Sequence, residues 1–210
     1  MGSGSEAFAR CGRVVSLAQE ASLRKGQRYP PEVRSQEEIE RLLDACGRSF
    51  TGRRNRTLLV LLWRCGLRLS EALTLEPRDV DLRRGTLHVR SGKGGRSRYV
   101  GLDGRAGAEV EAWLRWRPAD APTLICTTRG TPVQPAYVRN LLRRLAREAG
   151  VQGRVYPHGL RHLFAVSLAE EGADLMLIRD ALGHASAATT DLYLRGLGAG
   201  RAVAYVRSRR

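Results

Sequence analysis

His158-Gly159-Leu160-Arg161-His162, followed by Leu182-Gly183-His184 and, nine residues beyond His184, by Tyr193, is the stretch on which the reading of this chain turns. It offers an anion clamp, proton-transfer groups and a hydroxyl nucleophile. Upstream, Gly66-Leu67-Arg68-Leu69-Ser70-Glu71 adds a second arginine, and the turn Ser91-Gly92-Lys93-Gly94-Gly95 adds a lysine. A phosphodiester suits such a set: two guanidiniums for its non-bridging oxygens, a tyrosine to attack and a lysine to protonate the leaving oxygen. Three histidines raise the question of zinc. His158, His162 and His184 lack a fourth ligand and the spacing of a helical zinc motif, so no metal and no cofactor is expected.

Composition supports a polyanionic partner. The 210 residues carry a formal net charge of +15 and a sequence pI near 11.0, beyond what solubility requires. A membrane surface is the weaker candidate, because the longest apolar run, Leu58 to Trp63, falls far short of the ~20 residues of a spanning helix. The start lacks a signal-peptide core, and a cytoplasmic, nucleoid-associated protein of bacterial or phage origin is expected. Cys11, Cys46, Cys65 and Cys126 form no Cys-x-x-Cys pair; Cys46 and Cys65 fall in apolar helical patterns and are expected to be reduced core residues. Only Lys25 and Lys93 among the 36 basic residues are lysines. An ammonium gives up a proton to a leaving group more readily than a guanidinium, whose pKa exceeds ~12. A solvated hairpin-tip charge is the plainer account of Lys93 taken by itself.

Periodicity and punctuation predict a mostly helical α+β domain with a small antiparallel sheet. Met1 to Ser5 resembles an expression remnant; Phe8, Cys11, Val15 and Ala18 predict a short helix within 6–25, and Tyr29-Pro30-Pro31 a linker. Ser35 and Glu38 form a capping-box pattern ahead of Ile39, Leu42, Leu43 and Cys46. Asn55 is expected to cap the next helix, whose Leu58–Trp63 run belongs in the centre of the core, with Arg68 mounted at its rim. Thr86–Arg90 and Arg96–Leu102 predict a hairpin, Ala106–Arg117 a helix, and Leu124–Thr127 a candidate third strand. Pro135–Ala149 predicts an amphipathic helix with Val138, Leu141, Leu142 and Leu145 inward and Arg139, Arg143, Arg144 and Arg147 outward. Further helices are expected over Leu160–Glu171 and Asp174–Leu182, and a last one, capped by Ser186, carries Tyr193.

At these motifs the chain resembles the tyrosine recombinase (phage integrase) family, over roughly Ser35 to Arg195. The run from Leu182 to Tyr193 is similar to the family's nucleophile region throughout. The resemblance implies that Arg68, Lys93, His158, Arg161, His184 and Tyr193 form the catalytic set. Arg68 and Arg161 would hold the phosphoryl oxygens and His184 would donate to one of them. His158 would take the phenolic proton of Tyr193, and Lys93 would protonate the departing 5′ oxygen. What it leaves is a 3′-phosphotyrosyl bond, made without metal. Tyr205 is the reserve nucleophile, His162 braces the site, and His88 is given no role. Arg139, Arg143 and Arg147 are expected to position DNA, although an arginine-rich helix face is often merely solvated.

The resemblance divides the chain into 1–30, a tag-like start with a short helix and linker; 31–196, the catalytic domain; and 197–210, a tail. Relatives carry an N-terminal helical domain that closes round the DNA. The thirty residues before Pro31 are too few for one, so an excised catalytic fragment is expected ahead of a short recombinase. The tail, with Ala202-Val203-Ala204-Tyr205-Val206, is a candidate inter-subunit docking segment; a frayed terminus is equally open. Double-stranded DNA is the implied partner, in a homotetramer on two duplexes, with a monomer when free. A type IB topoisomerase-like strand transferase and a non-cleaving DNA-binding accessory protein are the alternatives to a site-specific DNA recombinase. The compact Arg68-to-Tyr193 spacing disfavours the first, and the complete set of six residues disfavours the second.

Overall fold

Ser35 opens the first helix of the computed structural model, which describes residues 35–90 and 97–183. Its Oγ accepts from the Glu38 amide at 3.2 Å, the cap that the sequence pattern predicts, and α1 runs Gln36–Ala45. Ile39, Leu42 and Leu43 are its buried face. The expected N-terminal helix, the hairpin tip and the helix bearing Tyr193 lie outside the described residues.

Helix α2, Phe50–Arg64, is the axis of the core, with Leu58 to Trp63 all buried. It starts earlier than the sequence suggests. Ser49, not Asn55, is the N-cap, its Oγ accepting from the Gly52 amide at 3.1 Å. Asn55 sits inside the helix, where its side-chain oxygen accepts from the Arg54 guanidinium and its amide donates to the Tyr137 hydroxyl at 3.2 Å. Its polar group is consumed by the adjacent Arg54 and by the remote Tyr137 rather than by a helix end.

Gly66 ends α2 with φ +58°, and a side chain there would run into the Phe164 ring. Arg68 then caps α3, Leu69–Thr74, with the Glu71 carboxylate accepting from the Arg68 amide at 2.8 Å. The sheet is three-stranded and antiparallel in the order β1 (Val80–Asp81), β2 (Thr86–Val89), β3 (Arg98–Gly101). Its third strand is therefore Val80–Asp81, paired to Thr86 and Leu87, rather than Leu124–Thr127. The Leu124 amide bonds instead to the Leu75 carbonyl at 2.7 Å, and Cys126 makes an isolated bridge to Pro132.

Asp103 caps α4, Gly104–Leu114, which together with α6 packs on α2. The amphipathic pattern of α5, Pro135–Glu148, is realised as expected: Val138, Leu141, Leu142 and Leu145 are buried and the arginines exposed. Helix α6 spans Pro157–Glu170, three residues longer at its start than expected, because Pro157 occupies the first turn, where a missing N–H costs nothing. Helix α7, Leu175–Leu182, is capped by Asp174 and stopped by Gly183 in the left-handed region. Ile178 and Leu182 bury against Ala165 and Ala169 in a satellite cluster joining α6 to α7. Cys46, Cys65 and Cys126 are buried and free; burial pushes the Cys46 and Cys65 thiols up to about 12. No helix among the described residues is long and apolar enough to cross a membrane.

Candidate active site

The longer α6 has a direct consequence for the site. His158, Arg161 and His162 all fall in its first two turns, at i, i+3 and i+4, and so share a face. That end of α6 meets the turn between α2 and α3. Together with Arg139 of α5 they border an open cleft of about 370 Å³, lined by Leu67, Arg68, Ser70, Tyr156, His158 and Arg161 among others. Among the described residues no carboxylate lines it.

Arg161 is 2 % exposed, an unusual place for a guanidinium. Backbone carbonyls on two remote segments hold it: one terminal nitrogen donates to Gly66 and the other to Leu182 at 2.6 Å. Arg68 reaches the same junction, donating to the Gly183 carbonyl at 3.2 Å and to Glu71 Oε1 at 2.6 Å. The two arginines thus span the end of α2 and the end of α7. His184, the next residue in the chain, lies outside the described residues, as do Lys93 and Tyr193. Arg68, His158 and Arg161 are brought together; the other three expected members are not placed.

Under the arginines lies Glu71, only 3 % exposed. It accepts from Arg98 Nη1 and Nη2 at 2.9 and 2.8 Å in a two-pronged pair, and its Oε2 stands 3.8 Å from Arg161. Burial alone would raise its carboxyl, but Arg98 and the amide and guanidinium of Arg68 outweigh this and bring it down to about 2. One carboxylate among three guanidiniums leaves the junction net positive. Neither Glu71 nor Arg98 was assigned a role from the sequence. The available signal was alternation: Arg98 lies two residues before the buried Val100 in β3, so it faces inward, where an arginine needs a partner.

The histidines differ. His158 keeps solvent access at the cleft, yet partial desolvation, then Arg161 and Arg68, lower its pKa, so it is neutral at pH 7 and able to accept a proton. His162 is half-buried one helical turn on and held down to about 4 by burial and by His158. His88, in β2, stacks on Tyr99 with ring centroids 4.8 Å apart. On α5, Arg139, Arg143 and Arg147 recur every four residues as an exposed stripe that begins at the cleft.

Comparison with known proteins identifies the family. The sequence profile described as the Phage integrase family matches residues 32–197. Tyrosine recombinase XerA of Thermococcus kodakarensis is 37% identical over 189 residues, covering 87% of this chain and 66% of that protein. Tyrosine recombinase XerC of Halalkalibacterium halodurans is 37% identical over 180 residues, covering 80% and 59% respectively. The crystal structure of XerA recombinase superposes with a TM-score of 0.74 at 30% identity, over 88% of this chain and 68% of that one. XerH site-specific recombinase bound to a palindromic difH substrate, a post-cleavage complex, superposes with a TM-score of 0.71 at 29% identity, over 86% of this chain and 54% of that one. The chain spans about two thirds or less of the length of the curated relatives it matches. Helices around a three-stranded sheet, the paired arginines and the profile match converge: the chain belongs to the phage integrase family of tyrosine recombinases.

Proposed function

We propose that this chain is the catalytic domain of a site-specific DNA recombinase that breaks and rejoins strands through Tyr193. The observation that carries the reading is the convergence of Arg68, Arg161 and His158, from segments some ninety residues apart, at one cleft without a lining carboxylate among the described residues. That geometry suits a monoanionic phosphodiester gaining charge during attack. The similar XerH chain was captured with its DNA substrate, which favours double-stranded DNA as the ligand here.

The roles then follow. The Tyr193 oxygen attacks phosphorus while neutral His158 takes the phenolic proton. Arg68 and Arg161 hold the non-bridging oxygens, assisted by His184. The bond from phosphorus to the 5′ oxygen breaks, and Lys93 supplies the proton that this oxygen requires. A 3′-phosphotyrosyl ester remains, and its attack by a 5′ hydroxyl reverses every transfer. Proton transfer and charge neutralisation are both supplied by side chains, so no metal enters the scheme. The α5 stripe of Arg139, Arg143 and Arg147 lies along the duplex backbone. In the cell the protein works at the nucleoid, as a tetramer on two duplexes.

The test is covalent capture. A nicked suicide duplex carrying candidate core sites is incubated with the chain, with and without chelator, and resolved under denaturing conditions. A protein–DNA adduct is expected in both, and none with Tyr193→Phe. Binding without any adduct would make the protein a non-cleaving DNA-binding factor.

A further inference from the structure

Arg98 lies outside the six residues to which the chemistry has been assigned, yet it grips the buried carboxylate at the junction with two prongs. Both of its terminal nitrogens are spent on Glu71, at 2.9 and 2.8 Å. Its side chain also lies on Gly183: a Cβ there would come within 2.6 Å of Arg98 Cδ and 2.7 Å of its Nε. The Nε is buried without a hydrogen-bond partner among the described residues, so the terminal nitrogens carry the whole polar grip. Gly183 in turn offers its carbonyl oxygen to Arg68. Arg98 therefore touches both groups that fix Arg68, the carboxylate on one side and the α7 terminus on the other.

The competition at Glu71 gives this contact a purpose. Arg68 is one of the guanidiniums that line the cleft, and Glu71 is a buried anion 2.6 Å from it. An anion left with Arg68 as its main partner would draw both prongs of that guanidinium inward, away from a phosphate. Arg98 occupies both carboxylate oxygens from the other side, and the Arg68 guanidinium is then held to the carboxylate by Nη1 alone, with its Nη2 turned to the Gly183 carbonyl at the α7 terminus. Arg98 also ties β3 to the end of α7 through Gly183, in the sequence neighbourhoods of Lys93 and His184.

We infer that Arg98 is a positioning residue for the strand-transfer reaction: it saturates Glu71 and seats Gly183, and so keeps Arg68 available to the scissile phosphate. This rests on the proposed DNA-cleaving function, and the experiment separates the two. Single-turnover adduct formation on the suicide duplex is measured for wild type, Arg98→Ala, Arg98→Lys and the double variant Arg98→Ala/Glu71→Gln. Rates are taken per folded molecule, with duplex affinity measured in parallel. Arg98→Ala is expected to slow adduct formation on the order of 100-fold, the scale of a misplaced reacting group, with affinity changed by less than about threefold. Arg98→Lys, which keeps the charge but not the two-pronged grip, is expected to fall between them. The decisive arm is the double variant. Removing the competing charge should restore at least about tenfold over Arg98→Ala, whereas a merely structural arginine would make Glu71→Gln a second, additive loss. Wild-type rates in Arg98→Ala, or a double variant slower than the single one, overturn the inference. Should Arg98→Ala fail to fold, Arg98→Lys decides: a slowed rate at unchanged affinity supports the role and an unslowed rate refutes it. A wild-type chain that binds DNA and never forms an adduct removes the functional reading itself.

Discussion

His158 and His162 stand one helical turn apart and are tuned by the same means to different ends. In His158 partial desolvation and two neighbouring guanidiniums lower the pKa below the usual 6.5, which keeps the ring neutral at pH 7, as the proposed transfer from Tyr193 requires. Adduct formation should therefore be level near neutrality and fall on the acid side as His158 protonates. His158→Gln should lose about 100-fold or more and lose that acid limb, as read from single-turnover rates against pH. An unchanged acid limb in the variant would assign the titration to another group. His162 bears on stability. With about 4 in the folded chain against 6.5 unfolded, the unfolded state binds more protons between those values. Its contribution is complete above pH 6.5 and is lost as pH falls towards 4, on the order of 3 kcal/mol. Denaturant unfolding of His162→Gln should show a flatter pH dependence across that window than the parent, while the separate loss from Glu71, between 4.5 and about 2, persists.

At the scale of elements, α5 carries the most accessible prediction. Arg139, Arg143 and Arg147 form one exposed stripe about 12 Å long on a helix whose opposite face is core. Reversing all three to glutamate should leave folding intact and weaken duplex binding. The slope of log affinity against log salt should become shallower by about one for each phosphate no longer neutralised. Unchanged affinity and slope would mean a solvated face and nothing more. Helices such as α1, α5 and α7 were legible in the sequence because each carried a clear local signal: the Ser35 cap of α1, the apolar period of α5 and the Gly183 stop of α7. Legibility failed where tertiary contacts took over a local signal. Asn55 carries a capping side chain but spends it on Arg54 and Tyr137, and Val80–Asp81 becomes a strand only through pairing with Thr86 and Leu87. Glu71 and Arg98 show the same limit within the site. They are 27 positions apart, and no periodicity announces that one inward arginine will close on one buried carboxylate.

Across the whole molecule, Gly66 and the Leu182-Gly183 pair bring together the ends of α2 and α7, and the two arginines stitch that seam. The described part of the candidate site is thus anchored where packed helices meet, with Arg68 and Arg161 held by backbone carbonyls. Arg68, Arg161 and His158 were readable as candidates because their motifs stand at recognisable spacings. Their convergence on a cleft with no described acid in its lining was not readable, since it depends on Glu71 being tucked beneath. The central claim is that Tyr193 supplies the oxygen that displaces a DNA strand at this seam. The most direct measurement is mass spectrometry of the covalent adduct after nuclease and trypsin digestion, because cleavage after arginine separates residues 180–195, which hold Tyr193, from residues 202–207, which hold Tyr205. The account predicts a nucleotide 3′-phosphate mass on the 180–195 peptide, localised to Tyr193. The same mass on the 202–207 peptide, or on neither, would contradict it.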